Sequence, residues 1–379
     1  MKLTTAGESH GKALVAIIEG MPSHVKIDKE KINVDLALRQ SGFGRGARQK
    51  IEKDKVEILS GVRNGETLGS PITLCIFNKD YNNWASCMTD EACDEKVMEE
   101  KSLTKVRPGH ADLTGVIKYG QTDARMILER ASARETAIRV SAGGVFKQYL
   151  SAFGIEIAGY VKEVCGVKDQ GRYAFNELCH AKTTQVGMMN EEADQKAVEK
   201  ISQLKKEGDT AGGIVEIRVK GLKSGFGSVM TYTEKLDALL SGALMSIQAV
   251  KGVEIGDGFS VASKSGKDVH DEIFYSEEKG IYRQTNRSGG IEGGMSNGEE
   301  LILRIVMKPI PTLMKGLKTF DYKTKQATTS APERSDVCAI FALEIIAEAV
   351  VAEVLAKVVD KRLGGDTLLE QQTRYNLLP

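Results

Sequence analysis

DVCAIFALEIIAEAVVAEVLAKVVDK, residues 336–361, is apolar on most of the faces that a helix would present. Such a helix has no side to offer to water, so it belongs in the centre of a protein. Working outward, IVEIRVKG (214–221) alternates, with Val215, Ile217 and Val219 on one side and Glu216, Arg218 and Lys220 on the other. That is the pattern of a half-buried strand. ELILRIVMKPI (300–310) reads as another. Val56–Ile58 and Ile72–Leu74 flank a segment with Asn64–Gly65, the strongest short hairpin signal. LVAIIEGMPSHVKIDKEKINVDLALRQ (14–40) is a weak echo of IVEIRVKGLKSGFGSVMTYTEKLDALLSGAL (214–244). Each reads as strand, glycine turn, extended piece and helix. A true duplication would give two sheet-plus-helix halves, with helices packed between or against the sheets.

The remaining segments follow from composition. Residues 127–150 predict a helix with a small-residue seam at Ala131, Ala133, Ala137 and Ser141, and 191–207 a charged outer helix. Residues 84–105 and 311–333 read as long loops, and 363–379 as a polar tail. No linker separates domains, so 1–379 reads as one unit. Lys+Arg and Asp+Glu are both 52, giving zero net charge. A general nucleic-acid or membrane-surface binder carries a basic excess, so any positive field here is local to a pocket. The six cysteines lack CxxC spacing, which argues against zinc and for free, buried thiols. The N-terminus has no apolar signal region, and no apolar run reaches membrane length. A soluble, cytoplasmic protein with no metal site is expected.

RPGHADLTGVIKYGQTDARMILERASARETAIRV (107–140) gathers the chemistry. On a helix, Arg130 and Arg134 would share a face, and guanidinium binds phosphate or carboxylate as a fork. Arg107 precedes a Pro-Gly-His turn. His110 there and His10 in GESHG (7–11) are proton-transfer candidates, or turn histidines satisfied by backbone. His24, His180 and His270 read as surface. Arg39, Arg45 and Arg48 in LRQSGFGRGARQ fit a phosphate clamp or a solvated basic loop. GGIEGGMSNGE (289–299) could cradle a phosphate, although no Walker or dinucleotide fingerprint surrounds it. Lys308 in KPIPT (308–312) is either a phosphate ligand or a surface lysine. Asp336 is a helix N-cap or a catalyst. Arg334, at a helix start where cations are disfavoured, calls for an anion.

These segments together resemble the chorismate synthase family. The stretches that carry the likeness include TAGESHGKALVAIIEGMP, GFGRGARQKIEKDKVEILSGVRNGETLGSPI, VRPGHADLTGVIKYG, ERASARETAIRVSAGGV, KLDALLSGALMSIQAVKGVEIGDGF, NRSGGIEGGMSNGE, KPIPT and RSDVCA, in the family order to about residue 352. The resemblance implies an α+β fold, a β-α-β sandwich with central helices between antiparallel sheets, assembled as a homotetramer. It implies 1,4-anti elimination of phosphate from 5-enolpyruvylshikimate 3-phosphate, the last step of the shikimate pathway. Reduced FMN is needed without net redox change. No reductase domain is visible, so an external flavin-reducing system, with NADP as the associated nicotinamide, is implied.

By the same likeness, His10 protonates the leaving phosphate, His110 supports the flavin's charge state, and Asp336 accepts a proton near the flavin. Arg39, Arg45, Arg107 and Arg134 line the substrate, with Arg48 a weaker addition. Arg130, Ala131, Ser132, Gln248, Ala249, Gly293, Lys308, Pro309, Ile310, Pro311, Thr312 and Arg334 contact FMN. The chain departs from the family at Lys12, where proline is common, at Leu38, where a basic residue is frequent, and at Gln248, which replaces proline or asparagine beside the flavin. An NAD(P)H-dependent flavin oxidoreductase shares the anion-binding loops. A non-enzymatic anion or RNA binder has no use for two histidines in tight turns.

Overall fold

The computed structural model describes residues 1–46, 51–330 and 335–379. Two antiparallel sheets enclose a layer of helices. The first holds β1 (Lys2–Ala6), β2 (Ala13–Glu19), β3 (Glu57–Ser60) and β4 (Ile72–Phe77) in the order β1-β2-β4-β3. Leu14, Ala16 and Ile18 face Ile76, Leu74 and Ile72 across it, and all six are buried. The two-residue period thus turns one whole face inward. Asn64 and Gly65 both take positive φ (51° and 75°) at the tip of the predicted hairpin, as a primed turn demands.

Between the sheets lie α1 (Lys29–Gln40), α2 (Thr136–Ser151), α3 (Leu236–Met245) and α4 (Ile340–Leu363). α2 packs on β2 and β4. α4 packs on α2 and on two strands of the second sheet, β5 (Glu156–Val164) and β6 (Gly213–Lys220). That sheet is completed by β7 (Val250–Ile255), β8 (Leu301–Met307) and the short edge strand Val167–Lys168, with β8 and β5 flanking β6. Val215, Ile217 and Val219 pair with Ile305, Leu303 and Leu301, all with no exposed surface.

The α4 stretch that set the expectation is central: 18 of its 24 residues are buried. It touches α2 almost backbone to backbone, since a Cβ on Gly143 would lie 2.3 Å from that of Ala349. It carries two inward carboxylates, Glu344 and Glu348, and Glu348 meets Lys147 and Lys182. Glu348 Oε2 lies 2.6 Å from the Lys147 amine, which also reaches Asp35 at 2.9 Å, and Glu348 Oε1 lies 2.9 Å from Lys182. Burial and the neighbouring Glu348 push Glu344 well above the usual carboxylate range. Burial would raise Glu348 as well, but the two ammonium groups hold it below that range.

Several expectations need correction. The central helix begins at Ile340, with Ala339 as its N-cap, so Asp336 does not cap it. The helix expected over 127–150 is two helices, Arg125–Ala131 and α2, joined by a tight turn. Ser132 breaks it: its backbone is extended (φ −62°, ψ 138°) and its hydroxyl accepts from Arg134 N–H at 3.2 Å. Serine's preference for caps over helix interiors decides this. Residues 84–105 hold a helix, Glu95–Lys101, capped by Asp94, and 311–333 hold the hairpin Lys318–Phe320 with Ala327–Thr329. The polar tail is a helix, Leu368–Asn376, started by a Thr367–Glu370 capping box. Gln371 is fully buried and accepts from Tyr149 Oη at 2.6 Å. Of the six thiols only Cys75 and Cys338 are buried. The two echoed segments each give a sheet-interior strand followed by an inner-layer helix, β2 with α1 and β6 with α3.

Candidate active site

At one end of the helical layer the turns after β1, β8 and α3 converge with the segments before α2 and α4 on a cavity of about 850 Å³. His10, Arg39, Arg45, Arg107, His110 and Asp336 all line it. So do Ala131, Ser132, Gln248, Ala249, Lys308, Ile310, Pro311 and Thr312.

His10 sits in a tight turn. Gly7 has φ 108°, and a Cβ there would strike the Ala13 carbonyl at 2.3 Å. The turn is tied to the short helix before Ser132: Ser9 N–H donates to the Glu129 carbonyl at 2.8 Å, and Glu129 Oε1 is 2.9 Å from His10 Nδ1. Trp84 covers the imidazole, with ring centroids 4.3 Å apart. His110 is built the same way. Gly109 turns the chain at φ 77°, and His110 Nδ1 is 2.6 Å from the fully buried Asp112. Asp112 also accepts from Arg107 Nε at 2.8 Å and from the Arg107 backbone at 3.0 Å. Burial opposes its ionisation, but hydrogen bonds from His110 and Arg107 hold it far below the ordinary carboxylate range. Each imidazole therefore has Nδ1 tied to a buried carboxylate.

The guanidiniums crowd. Arg39 donates to Thr136 Oγ1 at 3.0 Å and to the Ala133 carbonyl at 2.9 Å, with Asp54 3.7 Å away. Arg45 donates to the Arg39 carbonyl at 2.8 Å and stands 3.0 Å from Asp336 Oδ2. Asp336 Oδ1 also accepts the Gly46 N–H at 2.5 Å. Burial, partly offset by Asp54 and reinforced by Arg134 and Arg45, pulls Arg39 down to about 9. A bound anion would relieve that stress. Lys308 reaches the Gly109 carbonyl at 2.5 Å, joining the end of β8 to the His110 turn.

Other expected residues lie elsewhere. Arg130 and Arg134 do not share a helix face, because the chain turns at Ser132 between them. Arg130 is exposed and donates to the carbonyls of Gly7 (3.0 Å) and Thr5 (3.2 Å), bracing the His10 turn from outside. Arg134 is buried behind the cavity, 2.6 Å from Asp54 and 3.0 Å from Asn78 Oδ1. Gly293 turns the hairpin of Ile291–Glu292 with Met295–Ser296 and does not line the cavity. Pro309 is outside the lining although its neighbours are in it. Arg48 and Arg334 lie outside the described residues.

Sequence reasoning missed Glu129, Asp112, Ser9, Trp84, Asp80 and Arg125. Of these, Asp112 stands two positions after His110 in RPGHAD, a local signal. Trp84 opens the segment read as a loop and Asp80 lies just before it, and neither carried a signal. Gln248 Oε1, beside the left-handed Ala249 (φ 68°), is a buried acceptor without a hydrogen bond in the cavity wall.

The comparisons with known proteins agree with this geometry. The family model for chorismate synthase matches residues 1–359. The chorismate synthase of Alkaliphilus metalliredigens is 53% identical over 97% of each chain. That of Caldicellulosiruptor bescii is 51% identical over 99% of this chain and all of its own. A crystal structure of a chorismate synthase superimposes with a TM-score of 0.79 at 38% identity, covering 99% of this chain and 96% of that one. With the two-sheet sandwich and the histidine- and arginine-lined cavity already in place, the chain belongs to the chorismate synthase family, lyases of the shikimate pathway that leads to the aromatic amino acids.

Proposed function

We propose that the cavity binds 5-enolpyruvylshikimate 3-phosphate against reduced FMN and eliminates phosphate in the 1,4-anti sense to give chorismate. The observation that carries this reading is the meeting of two carboxylate-held imidazoles with Arg39, Arg45 and Arg107 on one cavity. A substrate with one phosphate and two carboxylates matches that cation set. The ester oxygen must be protonated as its bond to carbon breaks, and His10 is the group for that step. His110, held by Asp112, keeps a fixed imidazole toward the cofactor side. Asp336, between Arg45 and the Gly46 amide, is the carboxylate that takes up the proton leaving the site.

The flavin fits this wall. Gln248 Oε1 is an orphaned acceptor for a ring N–H, and Ala131, Ser132, Ala249 and the backbone of 308–312 offer close approach. When bound, reduced FMN supplies electron density that eases departure of the phosphate without net oxidation. Pro309 and, less directly, Arg130 and Gly293 complete the set that the family likeness assigns to it; Arg134 acts through Asp54, which it shares with Arg39. We further propose a homotetramer, which the exposed Met230, Tyr232, Phe259, Tyr275 and Ile281 favour, working in the cytoplasm with flavin reduced by another system. No helix among the described residues is long and apolar enough to cross a membrane.

The test is anaerobic incubation with photoreduced FMN and the enolpyruvyl phosphate, following phosphate and chorismate. Equal release of both with catalytic flavin is expected. Stoichiometric NAD(P)H consumption without phosphate release would instead mark a flavin oxidoreductase and overturn the proposal.

A further inference from the structure

His10 has two carboxylates near its ring, and they stand in different relations to it. Glu129, 5% exposed, accepts the His10 backbone N–H through Oε2 at 2.8 Å and faces Nδ1 through Oε1 at 2.9 Å. Asp80 Oδ2 is 3.9 Å from Nε2, beyond hydrogen-bond reach. Arg125 Nη1 lies 3.8 Å from Glu129 Oε1, and Trp84 covers the imidazole face. A carboxylate can only accept. The hydrogen on Nδ1 is therefore fixed by Glu129, and Nε2 is the one ring nitrogen left facing the cavity.

We propose that Glu129 is a positioning residue for His10, confining proton exchange to Nε2. The inference rests on the reading of His10 as the group that protonates the leaving phosphate. In that step the carbon–oxygen bond breaks with its electron pair on oxygen, and the Nε2 proton moves to the same oxygen. Neutral His10 remains with its hydrogen on Nδ1 and an open lone pair on Nε2, which takes a solvent proton to restore the acid. A neutral ring with its hydrogen on Nε2 would have no such vacancy.

Glu129→Gln separates this role from a structural one. The His10 backbone N–H can only donate, so it claims the single carboxamide oxygen. The amide NH₂ then faces Nδ1, makes it an acceptor and drives the hydrogen to Nε2. In the full-length protein with ¹⁵N-labelled imidazoles, long-range ¹H–¹⁵N spectra identify the neutral tautomer of each of the five histidines, with His10→Asn assigning the His10 signal. We expect the Nδ1–H form in the wild type and the Nε2–H form in Glu129→Gln. In turnover, kcat should fall by about 10²–10⁴-fold, the span of acid–base help, with KM little changed. Glu129→Asp should recover part of the loss, and Glu129→Gln should cost nothing further in a His10→Ala background.

A wild-type His10 with its hydrogen on Nε2, an unchanged tautomer in Glu129→Gln, or an equal loss in the His10→Ala background overturns the proposal. The wild-type spectrum decides even if the variant fails to fold. The tautomer is read without substrate or flavin. An enzyme that releases no phosphate yet shows Nδ1–H would therefore end the functional reading and leave the positioning role standing.

Discussion

The two imidazoles of the cavity are held by carboxylates that come from different distances along the chain. Asp112 is a neighbour of His110 in RPGHAD, and a reader of the sequence has it in view. Glu129 is 119 residues from His10, and only the folded turn brings them together. Local spacing reveals the first kind of partner and cannot reveal the second. Arg130 and Arg134 carry the opposite lesson, because a cap-forming serine between them defeats a helix-face argument that their spacing alone supports. His10→Ala and His110→Ala should each lower turnover about 10²–10⁴-fold, measured anaerobically with reduced flavin; wild-type rates would remove either from the chemistry. Because Asp336 holds Arg45 and the Gly46 amide and does not cap α4, Asp336→Asn should abolish most activity. Its thermal midpoint should stay near wild type, and calorimetry beside the activity assay distinguishes this from a folding defect.

At the level of the element, α4 was legible because its apolar residues go all the way round, and the alternation in β6 and β8 was legible because one face of each is buried. The C-terminal helix was not, since its polar residues disguise a segment whose one inward glutamine meets Tyr149. The charges inside α4 have measurable consequences. Removing the buried Glu348 takes from the half-buried Lys147 and Lys182 their shared partner, so Glu348→Leu should cost up to about 3–5 kcal/mol in denaturant unfolding. Glu344 behaves oppositely. Its folded-state affinity for a proton exceeds that of the unfolded chain, whose value is near 4.5. Its contribution is therefore complete below that pH and is lost as pH rises toward the folded value. Glu344→Gln should flatten that decline, by up to about 1.4 kcal/mol per pH unit, in urea titrations run from pH 5 to 8. Parallel slopes for wild type and variant would show Glu344 ionised in the fold.

For the whole molecule, one apolar cluster runs from Leu14 in the first sheet through α2 and α4 to the second sheet and Tyr375. We read residues 1–379 as one cooperative unit on that basis, and a single calorimetric transition is the expected signature. The cavity draws on both sheets and on the helical layer, so its ligands should stabilise all of it. Inorganic phosphate or the enolpyruvyl phosphate at 100 times its Kd should add about 2.7 kcal/mol, and Arg39→Ala should lose most of that gain. A ligand-induced shift unaffected by the Arg39 change would place the anion elsewhere. The zero net charge had already indicated that positive potential must be concentrated in one place. It could not indicate how deeply Arg39 would be buried, and beside other guanidiniums, which is what leaves it near 9.

Trp84 is the sole tryptophan of the chain, and its ring rests on that of His10. The protein accordingly carries an optical reporter at the imidazole proposed as its acid. Emission from that indole should respond to the charge on the imidazole beneath it and to anything that enters above, so stopped-flow fluorescence can time substrate arrival and proton loss with no label attached.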